Sequence, residues 1–138
     1  MAKLLSALPV GSVVKSTNTK YNGKVIRWIV GTQDTANGRT GLVAEKMITL
    51  KCFDAKESSN PNSSRQSYGN NRYSQSNIDQ WLNSQAASWY SARHSYDAPP
   101  NTANVWSNYN EYDPEAGFLS NFEADFRKAI LDAVIRVA

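Results

Sequence analysis

The residues able to do chemistry are few and scattered. His94 is the single histidine, with Asp97 three positions on. An imidazole titrates near neutrality and ligates metals, but a His/Asp zinc site needs two more ligands and no spacing here offers them. The expectation is a loop histidine bonded to nearby backbone. Asp54 and Glu57 form a second pair, suited by type to acid/base work or to oxygen ligation of a cation. A solvated turn, or a local ion pair with Lys56 or Arg65, accounts for them equally. Asn70-Asn71-Arg72-Tyr73 offers amides and a guanidinium that donate to sugar hydroxyls or acidic groups; Asn side chains also mimic backbone turns and fix an irregular loop. Cys52 is alone, so no internal disulfide forms, and its apolar setting in Met47–Phe53 reads as a small buried hydrophobe. There is no Gly-rich phosphate loop, nucleophile elbow or Cys/His constellation. These absences predict no catalytic residues, no metal and no cofactor.

The aromatic residues of the loops are the most function-like feature. Trp89, Tyr90, Tyr96, Trp106, Tyr109 and Tyr112 lie in an irregular stretch interrupted by Pro99-Pro100 and Pro114. Such rings stack on sugars or anchor interfaces; they also cover a core beneath long loops. Trp28 and Trp81 are expected as structural anchors in the interior, with Asn70 and Asn71 holding the loop that leads to Trp81.

The elements that must position these residues point to an α+β fold. Val13-Val14 reads as a short strand after the turn at Pro9. Tyr21-Asn22-Gly23 is a turn. Lys24–Val30 alternates, with Ile26, Trp28 and Val30 on one face and Val25, Arg27 and Ile29 on the other. Asn37-Gly38 is a hairpin signal, and Gly41–Phe53 is the partner segment, with a loop or bulge at Ala44-Glu45-Lys46. Asp54–Asn71 reads as loop, because Ser58–Ser64 is all turn-forming residues. Ser76 with Asp79 is a loose capping box, and Ile78, Trp81 and Leu82 then share one face. A helix over about 76–84 follows. Ser120 with Glu123 opens a second, over about 120–137, whose stripe is Phe122, Phe126, Ala129/Ile130, Ala133/Val134 and Val137. It meets no stop signal, so the chain is expected to be the N-terminal portion of a longer domain.

With 138 residues the chain is expected to form a single domain over 1–138. Fourteen Asn and sixteen Ser favour turns and caps over helix interiors and predict long structured loops. The net charge is +3. The nearest basic clusters are Arg65/Arg72 and Arg127/Lys128, which is no nucleic-acid stripe. No apolar run is long enough to cross a membrane. The apolar start is broken by Ser6 and Pro9 with no cleavage-like site after it, so no signal peptide is expected and synthesis in the cytoplasm is.

Leu8–Lys15, Tyr21–Val30, Phe53–Glu57 and above all Tyr68–Ser84 (Tyr-Gly-Asn-Asn-Arg-Tyr-Ser-Gln-Ser-Asn-Ile-Asp-Gln-Trp-Leu-Asn-Ser) resemble a domain of unknown function found in phages and prophages of Firmicutes. Trp89–His94, Asp97–Pro100 and Gly117–Leu119 continue the likeness. The resemblance implies a fold similar to C-type lectins and formylglycine-generating enzymes, used for surface display and here incomplete, since the family's later strands lie beyond the equivalent of Ala138. The calcium signatures of lectins and the paired cysteines of the oxidase relatives do not occur. The expected function is a non-catalytic phage or prophage virion component, displayed on the particle and binding host cell-surface glycan. Its mature place is the virion, and its partners are other virion proteins, further copies of itself in a homo-oligomer, or bacterial surface carbohydrate. The rivals are a purely structural capsid, collar or tail protein, and a cell-wall-active enzyme using Asp54, Glu57 and His94.

Overall fold

A computed structural model describes residues 4–106 and 111–130. It is α+β, with one three-stranded antiparallel sheet and three short helices. The chain divides into two compact units, Met1–Ile48 with Phe122–Ala138, and Thr49–Asn121. Among the described residues no helix is long and apolar enough to cross a membrane.

The first unit holds the sheet, in order β1 (Val13–Tyr21), β2 (Lys24–Asp34), β3 (Arg39–Ala44). Asn22 and Gly23 both take positive φ, 48° and 74°, the two-residue hairpin turn whose twist suits the flanking strands. The second turn closes on Gly38 (φ 64°), and Asp34 accepts from Asn37 N (3.2 Å) and Asn37 Nδ2 (2.7 Å). The two faces of β2 are as the alternation predicts: Ile26 and Val30 are buried, while Val25 and Arg27 are exposed. Trp28 is half-buried and meets Phe122 edge-on at 6.3 Å.

Several boundaries differ from expectation; β2 runs on to Asp34 and β3 begins at Arg39, because the two strands pair down to Asp34 and Arg39. β1 continues through the polar Lys15–Lys20, because backbone pairing needs no apolar side chain where one edge faces water; its register shifts between Lys15 and Lys20. There the buried Thr19 accepts from Trp28 Nε1 at 2.9 Å. β3 ends at Ala44, so Met47, Leu50 and Phe53 are exposed loop residues rather than strand. Among the described residues the last helix, α3, spans Ala124–Ala129. Ser120 lies instead in a 3₁₀ turn (Phe118–Asn121) and Phe122 bridges to Thr19 of β1, so the expected capping box is not formed and Glu123 caps without a side-chain bond. Phe122 and Phe126 still pack together, at 5.5 Å. The rest of the expected stripe, from Ala133 on, lies outside the described residues.

The second unit has little regular structure: α1 (Ser63–Tyr68), a 3₁₀ turn at Tyr73–Gln75, α2 (Asn77–Leu82) and the turn at 118–121. α1 corrects the loop expected over Asp54–Asn71. It buries no residue, so no apolar period announces it. It exists because Asn62 caps it, accepting from Ser64 N and Arg65 N, and Gly69 ends it at φ 71°. Ser76 caps α2 as its sequence predicts, accepting from Asp79 N at 3.3 Å. The fully buried face of α2 is Asn77, Gln80 and Trp81; Ile78 and Leu82 are only half-buried.

The core here is aromatic. Trp81, Tyr112 and Trp89 are buried. Tyr112 stacks on Trp89 (5.4 Å, 7°) and meets Trp81 edge-on (5.4 Å, 66°). Each ring's polar atom bonds to backbone: Trp81 Nε1 to Ala116 O (3.1 Å), Trp89 Nε1 to Glu115 O (2.9 Å) and the Tyr112 hydroxyl to Cys52 O (2.9 Å). Large rings with one polar tip thus pin irregular segments that have no ladder of their own. Burial pushes the Cys52 thiol up to about 11, in keeping with an unreactive cysteine.

Candidate functional site

Two groupings in the second unit bring sequence-distant polar or aromatic residues together. The first is a buried charged cluster. Asp54 is 6% exposed and each of its oxygens accepts a main-chain N–H, Oδ1 from Asn77 (2.9 Å) and Oδ2 from Asn70 (2.7 Å). One carboxylate therefore ties the loop after α1 to the first turn of α2. Burial pushes the Asp54 carboxyl up to about 6; the N–H groups of Asn70 and Asn77 pull it down, Asp97 adds to the rise and His94 opposes it. Gly69 is required beside it, since a Cβ there would stand 2.3 Å from Ala55 O and 2.9 Å from Asp54 Oδ2.

Glu57 is 1% exposed. Its Oε1 accepts from Arg65 Nε (3.1 Å) and Nη2 (2.6 Å), and its Oε2 from Asn60 Nδ2. Asp97 accepts from Asn77 Nδ2 (3.3 Å) and from Arg93 N (2.8 Å). His94 lies among them. Its Nδ1 is 3.1 Å from Ser95 O and 3.2 Å from Arg65 Nη2; its Nε2 is 3.4 Å from Asn70 Nδ2 and 3.9 Å from Asp97 Oδ1. Asn70 Oδ1 accepts from Arg72 N at 2.9 Å, which turns its NH₂ toward the imidazole.

Asp54, Glu57 and His94 each bring a ligand atom within 4.8 Å of the other two, the outline of a cation site that no spacing in the sequence reveals. The donor set does not fit a metal. Both Asp54 oxygens are held by N–H groups, and the Arg65 guanidinium already bridges Glu57 and His94. Arg65 supplies the positive charge that a metal would otherwise bring. Of the alternatives the sequence left open, the pair of Glu57 with Arg65 forms, and the solvated turn does not, since Asp54 and Glu57 are both buried. The expected contact of His94 with adjacent backbone is also present, but within a cluster that spans four segments.

The second grouping is on the surface. Tyr68, the last residue of α1, is 73% exposed, and Trp106 is 50% exposed. Their rings stack at 6.2 Å and 26°. Trp106 Nε1 donates to Ser67 O at 2.8 Å, and Lys56 Nζ lies 5.7 Å from the Trp106 ring centroid. Lys56 N donates to Asn104 O (2.8 Å), which fixes the loop carrying Trp106.

The six loop aromatics thus separate. Trp89 and Tyr112 are core, which corrects their expected place on a ligand or subunit surface: their rings stack face to face and bond inward. Tyr90 is half-buried against Trp89, and burial beside Asp97, Asp54 and Asp113 pushes its phenol up to about 12. Tyr96 is 52% exposed and stands at φ 69°, a left-handed conformation uncommon for a bulky residue. Trp106 is exposed, and Tyr109 lies outside the described residues. Of the expected anchors, Trp81 and Asn70 are buried, Trp28 is half-buried and Asn71 is exposed. Tyr68 was legible only as part of a recognisable stretch; no signal in its spacing links it to Trp106.

No curated protein and no solved structure matches the chain. Residues 37–138, well over half of its length, match the profile of a family described as a domain of unknown function, DUF6273, and the chain belongs to that family.

Proposed function

We propose that this chain is a non-catalytic recognition module, a component of a phage or prophage particle that binds carbohydrate on the host cell surface. The observation that carries the binding part is the Tyr68–Trp106 pair: two stacked rings, held from beneath by a backbone bond and exposed to solvent. Rigid aromatic faces present large contact area at little entropic cost, which suits them to the apolar faces of sugar rings. The non-catalytic part is supported by the charged cluster, where the Asp54 oxygens accept from main-chain N–H groups and Glu57 from Arg65 and Asn60. Those carboxylates are occupied in holding loops together. The particle setting and a C-type-lectin-like relationship rest on the resemblance of Tyr68–Ser84 and the flanking segments.

A single such site is weak, and many copies on a particle would multiply it. The test is binding of a multivalent form of the chain to glycan arrays and to purified host cell walls. Retention that is lost on Tyr68→Ala supports the reading; no signal on either surface sinks it. Release of soluble wall fragments by the chain would instead favour a wall-active enzyme.

A second reading, assembly with itself or another particle protein, is favoured by the outer face of the sheet. Val13, Ile29 and Val43 are direct cross-strand partners, and Val13 and Val43 are 48% and 61% exposed. Light scattering on the chain and on Val43→Lys tests it: an oligomer that the variant breaks supports assembly, and a monomer at all concentrations argues against it.

A further inference from the structure

We infer that the saccharide taken by the Tyr68–Trp106 surface carries a negative charge, a carboxylate or phosphate on the sugar, which the ammonium of Lys56 receives. This rests on the carbohydrate reading above and specifies its ligand class. Three observations meet at one place. Tyr68 stacks on Trp106, and at 73% exposure it is the more open ring of the pair. Trp106 is not free to follow a ligand, because its indole N–H is fixed to Ser67 O; the surface is organised before anything binds. Lys56 Nζ stands over Trp106 at 5.7 Å, and among the described residues no carboxylate lies within ion-pair distance of it. Its neighbour Glu57 turns inward to Arg65. An exposed ring and an unpaired ammonium held by one short loop and one helix end suit a ring with an acidic substituent better than a neutral sugar. The charge selects, and the ring contact supplies the area.

The experiment uses the full chain presented multivalently on beads, with three polymers as probes: polygalacturonate, phosphomannan and the neutral mannan of matched length. Expected is retention on one or both charged polymers and little on mannan, weakened when salt is raised to about 0.3 M. Tyr68→Ala should lower affinity about tenfold. Lys56→Gln should lower it about three- to fivefold on the charged polymers alone, and Lys56→Arg should restore most of it. Thermal melts of all three variants, expected to match the parent, exclude unfolding as the cause. Equal binding to all three polymers that still depends on Tyr68 would overturn the charge inference while leaving the carbohydrate reading standing. Binding to the charged polymers that ignores both Tyr68→Ala and Lys56→Gln would overturn the site. Failure to bind any polymer would overturn the inference, and the glycan-array and cell-wall result would then decide the broader reading separately.

Discussion

Arg65 Nη2 lies 2.6 Å from Glu57 Oε1, and it joins a helix with no buried residue to one of the most deeply buried side chains in the protein. α1 has six residues, too few for stability from its own hydrogen bonds, and it presents no apolar face. Its hold on the rest of the unit is polar and aromatic: this ion pair, the bond from Glu57 N to Arg65 O, the bond from Trp106 to Ser67 O and the stacking of Tyr68 on Trp106. The surface that carries the functional proposal is therefore anchored by polar and ring contacts rather than by a buried apolar face.

Removing one partner of that pair should be costly. Arg65→Ala leaves Glu57 buried with only Asn60 as a side-chain donor, and breaking a buried pair costs about 3–5 kcal/mol. The Arg65 side chain is 35% exposed, so solvent screening places the loss at or below the lower end of that range. Urea denaturation of the variant against the parent measures it. A loss under about 0.5 kcal/mol, the level of an ordinary surface change, would show that the pair does not hold α1.

Asp54 predicts an unusual pH dependence. Its carboxyl is pushed up to about 6 in the folded protein from an ordinary value of 3.8. The folded state therefore holds the proton more tightly than the unfolded state. The resulting contribution is fully present below the unfolded value and is lost as pH rises through about 6. On going from pH 7 down to pH 4.5 this group alone makes the protein more stable, by about 2 kcal/mol as an order of magnitude. Melting temperatures of the parent and of Asp54→Asn across that range test it: the difference between the two curves should change in this direction. An Asp54 contribution that falls on acidification would refute it.

Gly69→Ala should be among the most damaging small substitutions. The added methyl would stand 2.3 Å from Ala55 O at a residue already at φ 71°, so steric overlap and backbone strain coincide, costing about 3 kcal/mol. Chemical denaturation is the measurement. A change below about 1 kcal/mol would mean that the loop shifts freely.

Trp81→Ala removes a ring that is 1% exposed and leaves Ala116 O without its donor. The expected loss is about 3–5 kcal/mol. Trp81→Phe keeps most of the packing and loses the hydrogen bond, so it should cost distinctly less. Equal losses for the two variants would show that the hydrogen bond, not the ring, is what matters.

Tyr96→Gly tests whether the left-handed residue is strained for a purpose. Relief of φ 69° should raise stability by up to about 1 kcal/mol, since this ring is half-exposed. A loss of stability instead would show that the ring packs usefully where it stands.

Sequence alone determined the local pieces whose cause is local. The Asn22-Gly23 turn follows from the ease of positive φ at those residues. The faces of Lys24–Val30 follow from alternation, the start of α2 from the Ser76 hydroxyl, and the burial of Trp81 from its place on that helix. Family membership was likewise carried by a continuous stretch. The rest depended on contacts between distant segments. Polar Lys15–Lys20 became strand because β2 offered it a partner. Ser63–Tyr68 became helix because Asn62 and Glu57 supply bonds that no apolar period encodes. Trp89 and Tyr112 went inside while Trp106 stayed out, although all three sit in similar Asn- and Ser-rich surroundings, because only tertiary packing decides which stacked pair is covered by other segments and which is left to solvent. Asp54, Glu57, Arg65, His94 and Asp97 are spread along more than forty positions. Burial in a medium that cannot solvate charge forces such groups to seek one another across the chain, and the folded arrangement is what decided that a guanidinium meets them.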